Sequence, residues 1–130
     1  MDRLPALCGM FQGDPLVIFA YLFGGCATGP VKPVSDIDLA VYLSDTESIA
    51  QTKLDLFSKI SDVLGTSEID LVVLNVSSVS ITGRVLQNRR LLVDKHPFIR
   101  HRFESSMLRQ FFDFRKKEET LLSLRYGLGR

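Results

Sequence analysis

Three aspartates and a glycine pair hold the chemistry that this sequence can do. Asp36 and Asp38 stand two apart in Ser35-Asp36-Ile37-Asp38-Leu39, at the head of an apolar run. In an extended chain that spacing puts both carboxylates on one face. Side by side they repel, and a divalent cation removes the cost. Oxygen-only ligands on a compact site suit Mg²⁺, or Mn²⁺ in its place. Asp70 opens the next β-like run, Glu68-Ile69-Asp70-Leu71-Val72-Val73. If the two strands are neighbours, its carboxylate reaches the same cleft, and three converging acids suit two cations. Gly24-Gly25 ends the preceding apolar run. Glycines let the backbone approach a phosphate closely, and the N–H groups of a helical turn favour an anion. A glycine bend and an acidic pair at neighbouring strand ends can hold a nucleoside triphosphate with its metals between them. Taken singly, each element is commonplace: Asp-x-Asp in a loop, Gly-Gly in a turn, Asp70 as a solvated strand-end charge. Their joint spacing carries the reading.

The elements that must position these residues follow from periodicity. Leu4, Leu7, Cys8 and Phe11 predict a short helix over 2–12, and Gly13-Asp14-Pro15 a turn. Leu16–Phe23 is an apolar run rich in β-formers and reads as a buried strand. Residues 24–33, with three Gly and two Pro, form a tight connection holding at most one helical turn. Asp36–Leu43 predicts a second strand. Thr46–Leu64 predicts a helix, with Asp45 as N-cap and Gly65 as stop. Ile69–Val76 predicts a third strand, Ser77–Gln87 a helix and Arg90–Val93 a short edge strand. Pro97 opens a long helix reaching about Tyr126. The order predicts an α+β (α/β-like) fold: a small mixed sheet of about four strands flanked by helices, with a long C-terminal helix.

Composition sets the frame. The 130 residues, 45% hydrophobic and 24% charged, predict one globular domain over 1–130 and exclude disordered, collagen-like and disulfide-scaffold chains. The net charge of +1 hides an asymmetry. Residues 1–83 carry four Lys/Arg and ten Asp/Glu, whereas residues 84–130 carry twelve and five. The acidic part suits cation binding, and the basic part suits phosphates or an acidic partner, or simply a solvated helix face. Cys8 and Cys26 form no Cys-x-x-Cys pair, and His96 and His101 lack a third ligand nearby, which argues against zinc. Two ordinary thiols fit a cytoplasmic location. Cys26 beside the glycine bend is most simply a small bystander, although a helix start can activate a thiol. Leu16–Cys26 faintly resembles a lipoprotein signal, but Asp2 and Asp14 precede the apolar run where a secretory leader is positive. That run is also shorter than the ~20 residues needed to span a bilayer, so no membrane is expected.

Ile99, Phe103, Met107, Phe111 and Phe114 form one stripe on the last helix, flanked by Leu108 and Phe112. Part of it must close the domain's own core. With Leu121, Leu122, Leu124 and Tyr126 the stripe exceeds what a small sheet needs, so the helix over 98–126 is expected to offer a partner surface. Arg100, Arg102, Arg109, Arg115, Lys116 and Lys117 lie among these positions and could face an acidic partner or RNA. No interleaved aromatic-glycine motif for stacking bases accompanies them, which argues against direct nucleic-acid binding.

Gly24-Gly25, ten residues, then Asp36-Ile37-Asp38 resembles the signature of the nucleotidyltransferases of the DNA polymerase beta superfamily, which is Gly-Ser, about ten residues, then Asp-x-Asp. Phe23, Ala27, Gly29 and Ser35-Asp36-Ile37-Asp38-Leu39 match its flanks. The chain length and Asp113-Phe114-Arg115 resemble the minimal members, among them the MntA-like antitoxins that partner HEPN-domain toxins. The resemblance implies a nucleotidyltransferase fold. It implies Asp36, Asp38 and Asp70 as catalytic residues and ligands of two Mg²⁺. It further implies Gly24 and Gly25 on the triphosphate of ATP, with Ser35 shaping the loop before the acids. The activity implied is transfer of AMP from ATP to a protein hydroxyl, a tyrosine of a HEPN-type toxin, as an antitoxin. The chain departs from the pattern at Gly25, where the family has Ser and a phosphate contact. The alternatives are an antitoxin that neutralises by docking alone and, less fitting for want of a second domain, transfer to a small molecule. A homodimer and a hetero-oligomer both stay open.

Overall fold

The computed structural model describes residues 3–24 and 36–126, the last four of them by backbone alone. Eight elements follow in order among them: α1 (Leu4–Gly13), β1 (Val17–Phe23), β2 (Ile37–Leu43), α2 (Ile49–Leu64), β3 (Ile69–Val73), α3 (Val79–Gln87), β4 (Arg89–Asp94) and α4 (Pro97–Tyr126). The strands form one mixed sheet in the order β3-β2-β1-β4. β1 runs antiparallel to both β2 and β4, and β2 pairs parallel with β3. This is the expected α+β architecture: four helices on a four-stranded open sheet, ending in a long helix.

Apolar residues on both sides of the strands explain the layers. Ile37, Leu39, Val41 and Leu43 of β2 pack with Leu71 and Val73 of β3 beneath Leu4, Leu7 and Phe11 of α1 and Leu56 and Ile60 of α2. On the opposite face Phe19, Tyr21 and Ala40 meet Val85 and Leu86 of α3 and Ile99, Phe103 and Met107 of α4. β1 is buried along nearly its whole length because helices cover both its faces. Its register with β2 shifts between Val17 and Phe19. One extra residue there puts Ile18 and Phe19 toward the same layer, and regular alternation resumes to Phe23.

Most boundaries lie within one or two residues of the sequence expectation, and three of the differences have a clear local cause. α2 begins at Ile49, and Asp45 is not its cap. The Asp45 carboxylate accepts from the Glu47 N–H at 2.9 Å, which makes a local turn, and Ser48 takes the cap position without a side-chain bond. Gly65 does end the helix, left-handed at φ 72°. β3 stops at Val73, because the Val76 N–H turns back to the Val73 carbonyl at 3.2 Å. Asn75 then bonds both the N–H and the C=O of Leu43, at 2.8 and 2.9 Å. α3 starts at Val79, capped by Ser78, whose hydroxyl accepts from the Ile81 N–H at 3.2 Å.

The α4 stripe divides at Phe111. Ile99, Phe103, Met107 and Leu108 pack into the core, and Phe111 lies buried against Gly83 of α3. Beyond it Phe112, Phe114, Leu121 and Leu122 are exposed. Arg100 departs from the expected outward role. It is held inside by Asp94 at 2.8 Å and Glu104 at 3.1 Å. Glu104 is itself buried, accepts the Tyr21 hydroxyl and pairs with Arg89 at 3.3 Å, so β1, β4 and α4 share one ionic knot. Burial, reinforced by Glu104, pushes the Tyr21 hydroxyl far above its ordinary range and keeps it a donor.

A side chain at Gly83 would collide with the Phe111 ring. Gly83→Ala is therefore expected to lower stability by about 1–3 kcal/mol from overpacking, against a helix-propensity gain of up to ~1 kcal/mol. Chemical denaturation measures it. A variant as stable as the parent contradicts this packing.

Candidate active site

The parallel ladder between β2 and β3 builds the centre of the site. Asp38 is in register with Asp70, so their side chains leave adjacent strands on one face of the sheet. Asp36 lies two residues before Asp38 and shares that face by period. Asp38 is half-buried, whereas Asp36 and Asp70 are exposed. Burial, then the charges of Asp70 and Asp36, raises the Asp38 carboxyl above the ordinary carboxylate range. Asp38 is thus the pivot of a crowded anionic patch.

β1 delivers the glycine bend to the same place. Phe23, its last residue, is opposite Asp38, and Gly24 follows in the left-handed region at φ 71°. A Cβ at Gly24 would lie 2.5 Å from Asp38 Oδ2. The left-handed backbone angle favours glycine here, and a side chain would also have to push the Asp38 carboxylate aside. Asn88, between α3 and β4, donates from Nδ2 to the Gly24 carbonyl at 3.1 Å and ties the bend to the far side of the sheet. Sequence reading missed Asn88, since an amide after a helix looks like an ordinary cap and nothing local points 64 residues back.

Gly25, Ser35 and Cys26 lie outside the described residues. Among the described residues no three His, Cys, Asp or Glu side chains close on one point tightly enough to hold a metal ion. The donor chemistry nonetheless suits a hard cation: every candidate ligand is a carboxylate, and Asp38 bears a like-charge load that a cation would relieve. No helix among the described residues is long and apolar enough to cross a membrane.

A mixed sheet with an Asp-x-Asp strand beside a glycine bend, its in-register neighbour carrying a further aspartate, defines a nucleotidyltransferase class of protein. The sequence matches the family described as Polymerase beta, Nucleotidyltransferase over residues 7–98, and the chain belongs to that family. No curated protein matches the sequence. The fold is similar to a solved toxin–antitoxin structure with AMP-PNP, with TM-score 0.74 and 21% identity over 95% of this chain and 97% of that one. It is also similar to a chain of the tri-AMPylated Shewanella oneidensis HEPN toxin in complex with MNT antitoxin, with TM-score 0.69 and 20% identity over 93% of each chain. The toxin–antitoxin MntA-HepT structure gives TM-score 0.69 and 20% identity over 93% of this chain and 94% of that one. At these identities the likeness is one of fold.

The raised Asp38 carboxyl sets a pH dependence in metal-free protein. The folded state holds this proton more tightly than the unfolded chain, so ionising Asp38 destabilises the fold. The penalty is absent below the ordinary aspartate value of about 3.9 and complete above the raised folded value. In chelator, Asp38→Asn is expected to raise Tm at neutral pH, with the gain shrinking toward pH 4. Calorimetric scans across pH check this, and an Asp38→Asn variant no more stable at neutral pH contradicts it.

Proposed function

We propose that this chain is a metal-dependent protein adenylyltransferase that silences a HEPN-type toxin. The observation that carries the reading is the register of Asp38 with Asp70 beside the Gly24 bend. Family membership supports nucleotidyl transfer, and the AMP-PNP and tri-AMPylated toxin of the similar structures support ATP and a protein acceptor. In this reading Asp36, Asp38 and Asp70 hold two Mg²⁺, and Gly24 and Gly25, with Ser35 shaping the following loop, receive the triphosphate. The cations would neutralise the triphosphate and ease ionisation of the acceptor. Asp70, on the edge strand and exposed, takes the proton of the acceptor hydroxyl. The acceptor oxygen forms a bond to the α-phosphorus, the bond from the α-phosphorus to the bridging oxygen breaks, and pyrophosphate leaves. The protein contributes position and charge.

The whole 1–130 chain acts as one domain in this proposal. Its partner surface is the outer part of α4, where Phe112 and Phe114, 55% and 44% exposed, precede Leu121 and Leu122. Arg109, Arg115, Lys116 and Lys117 lie among them, so the partner face is apolar with acidic surroundings. The thiols and the ATP substrate suit the cytoplasm.

The test mixes the chain, Mg-ATP and a HEPN-domain toxin from a neighbouring reading frame, and weighs the toxin by intact mass. Adenylyl increments are expected, and they vanish with Asp36→Asn combined with Asp38→Asn. No increment from the parent chain, or one that survives the double change, overturns the mechanism. Normal neutralisation by that variant would leave docking alone. Asn88→Ala releases the Gly24 carbonyl and is expected to weaken AMP-PNP binding by about 2–10-fold, the worth of one hydrogen bond. Calorimetry reads it, and unchanged affinity removes Asn88 from the site.

A further inference from the structure

β3 is an edge strand, and its outer side is open among the described residues. The Ile37 N–H donates to the Glu68 carbonyl at 3.1 Å, and the Leu74 N–H to the Val41 carbonyl at 2.8 Å. By the two-residue period, the even residues of β3 bond to β2 and the N–H and C=O of Leu71 turn outward. A groove of about 280 Å³ runs along this edge. Ile49 and Lys53 of α2 form one wall, and Val76, Ser77 and Ile81 the other. Val76 and Ile81 are 65% and 45% exposed and give the groove an apolar rim. One end of the groove is Asp70.

We propose that this edge is the acceptor-docking site: an extended segment of the acceptor protein adds to β3 as a further strand and brings its hydroxyl to Asp70. Two features choose this occupant. Unpaired main-chain groups on an open strand edge select an extended polypeptide, and apolar walls take its alternate side chains. The groove is continuous with the acid cluster through Asp70, so whatever lies in it passes the carboxylate that the transfer reaction needs. Lys53 at the rim favours an acidic residue in that segment. The inference rests on the transfer reading above and adds how the acceptor is held.

The experiment uses the full chain with AMP-PNP, Mg²⁺ and the HEPN-domain toxin, and follows hydrogen exchange at the Leu71 amide. That amide is expected to become protected only when toxin is present. Val76→Asp and Ile81→Asp alter exposed side chains outside the nucleotide site. Each is expected to raise the KM for toxin by about tenfold or more while leaving AMP-PNP affinity and Tm unchanged. Toxin-dependent protection of Leu71 without any AMP transfer by the parent chain would uphold the docking edge and refute the transfer reading. Transfer by the parent chain with Leu71 unprotected and both variants at parental KM overturns the edge proposal. Protection that rises with the chain's own concentration, alongside a dimer mass, also overturns it and assigns the edge to a second copy.

Discussion

The structure depends on two like charges being held together. The β2–β3 ladder fixes Asp38 opposite Asp70, and the parallel pairing cannot slip by one residue without turning Leu39, Val41, Leu71 and Val73 out of the core. Hydrophobic burial on one face of the sheet therefore enforces electrostatic crowding on the other. The cost appears at Asp38, whose carboxyl is raised by burial and by its acidic neighbours. Such a pair at strand heads, beside a left-handed glycine bend, is the feature on which the proposed cation site rests.

The remaining elements serve that arrangement. α1 and α2 cover the face that sets the register, and α3 and α4 cover the other beyond the acid cluster. The knot of Tyr21, Glu104, Arg89 and Arg100 fastens α4 to β1 and β4, and Asn88, one residue before Arg89, reaches Gly24. The glycine bend is thereby connected to α4. Half of α4 belongs to the core and half stands free, so one element serves both stability and the proposed recognition.

Much of this was legible in the residues. The period of two in Asp36-Ile37-Asp38 and the apolar run after Asp70 require only local alternation, and they indicated the strands and the shared face. The long helix from Pro97 was equally plain, because proline and a four-residue apolar stripe are strong local signals. What could not be read was which of several possible partners each side chain takes. Asp45 has a cap residue's chemistry but spends its carboxylate on a turn. Arg100 looks like a surface cation until Asp94 and Glu104 are seen around it. The bulge at Ile18 and Phe19 leaves no mark in a uniformly apolar run. Asn88 is invisible as a site residue because its partner, Gly24, is brought near only by the sheet.

Asp38 and Asp70 are proposed to share a divalent cation on the nucleotide. A crystal of the chain grown with Mn²⁺ and AMP-PNP tests it most directly, because manganese marks its own position by anomalous scattering. An anomalous peak is expected within ligand distance of both carboxylates, with the triphosphate against Gly24. A bound nucleotide whose manganese touches neither aspartate would contradict it.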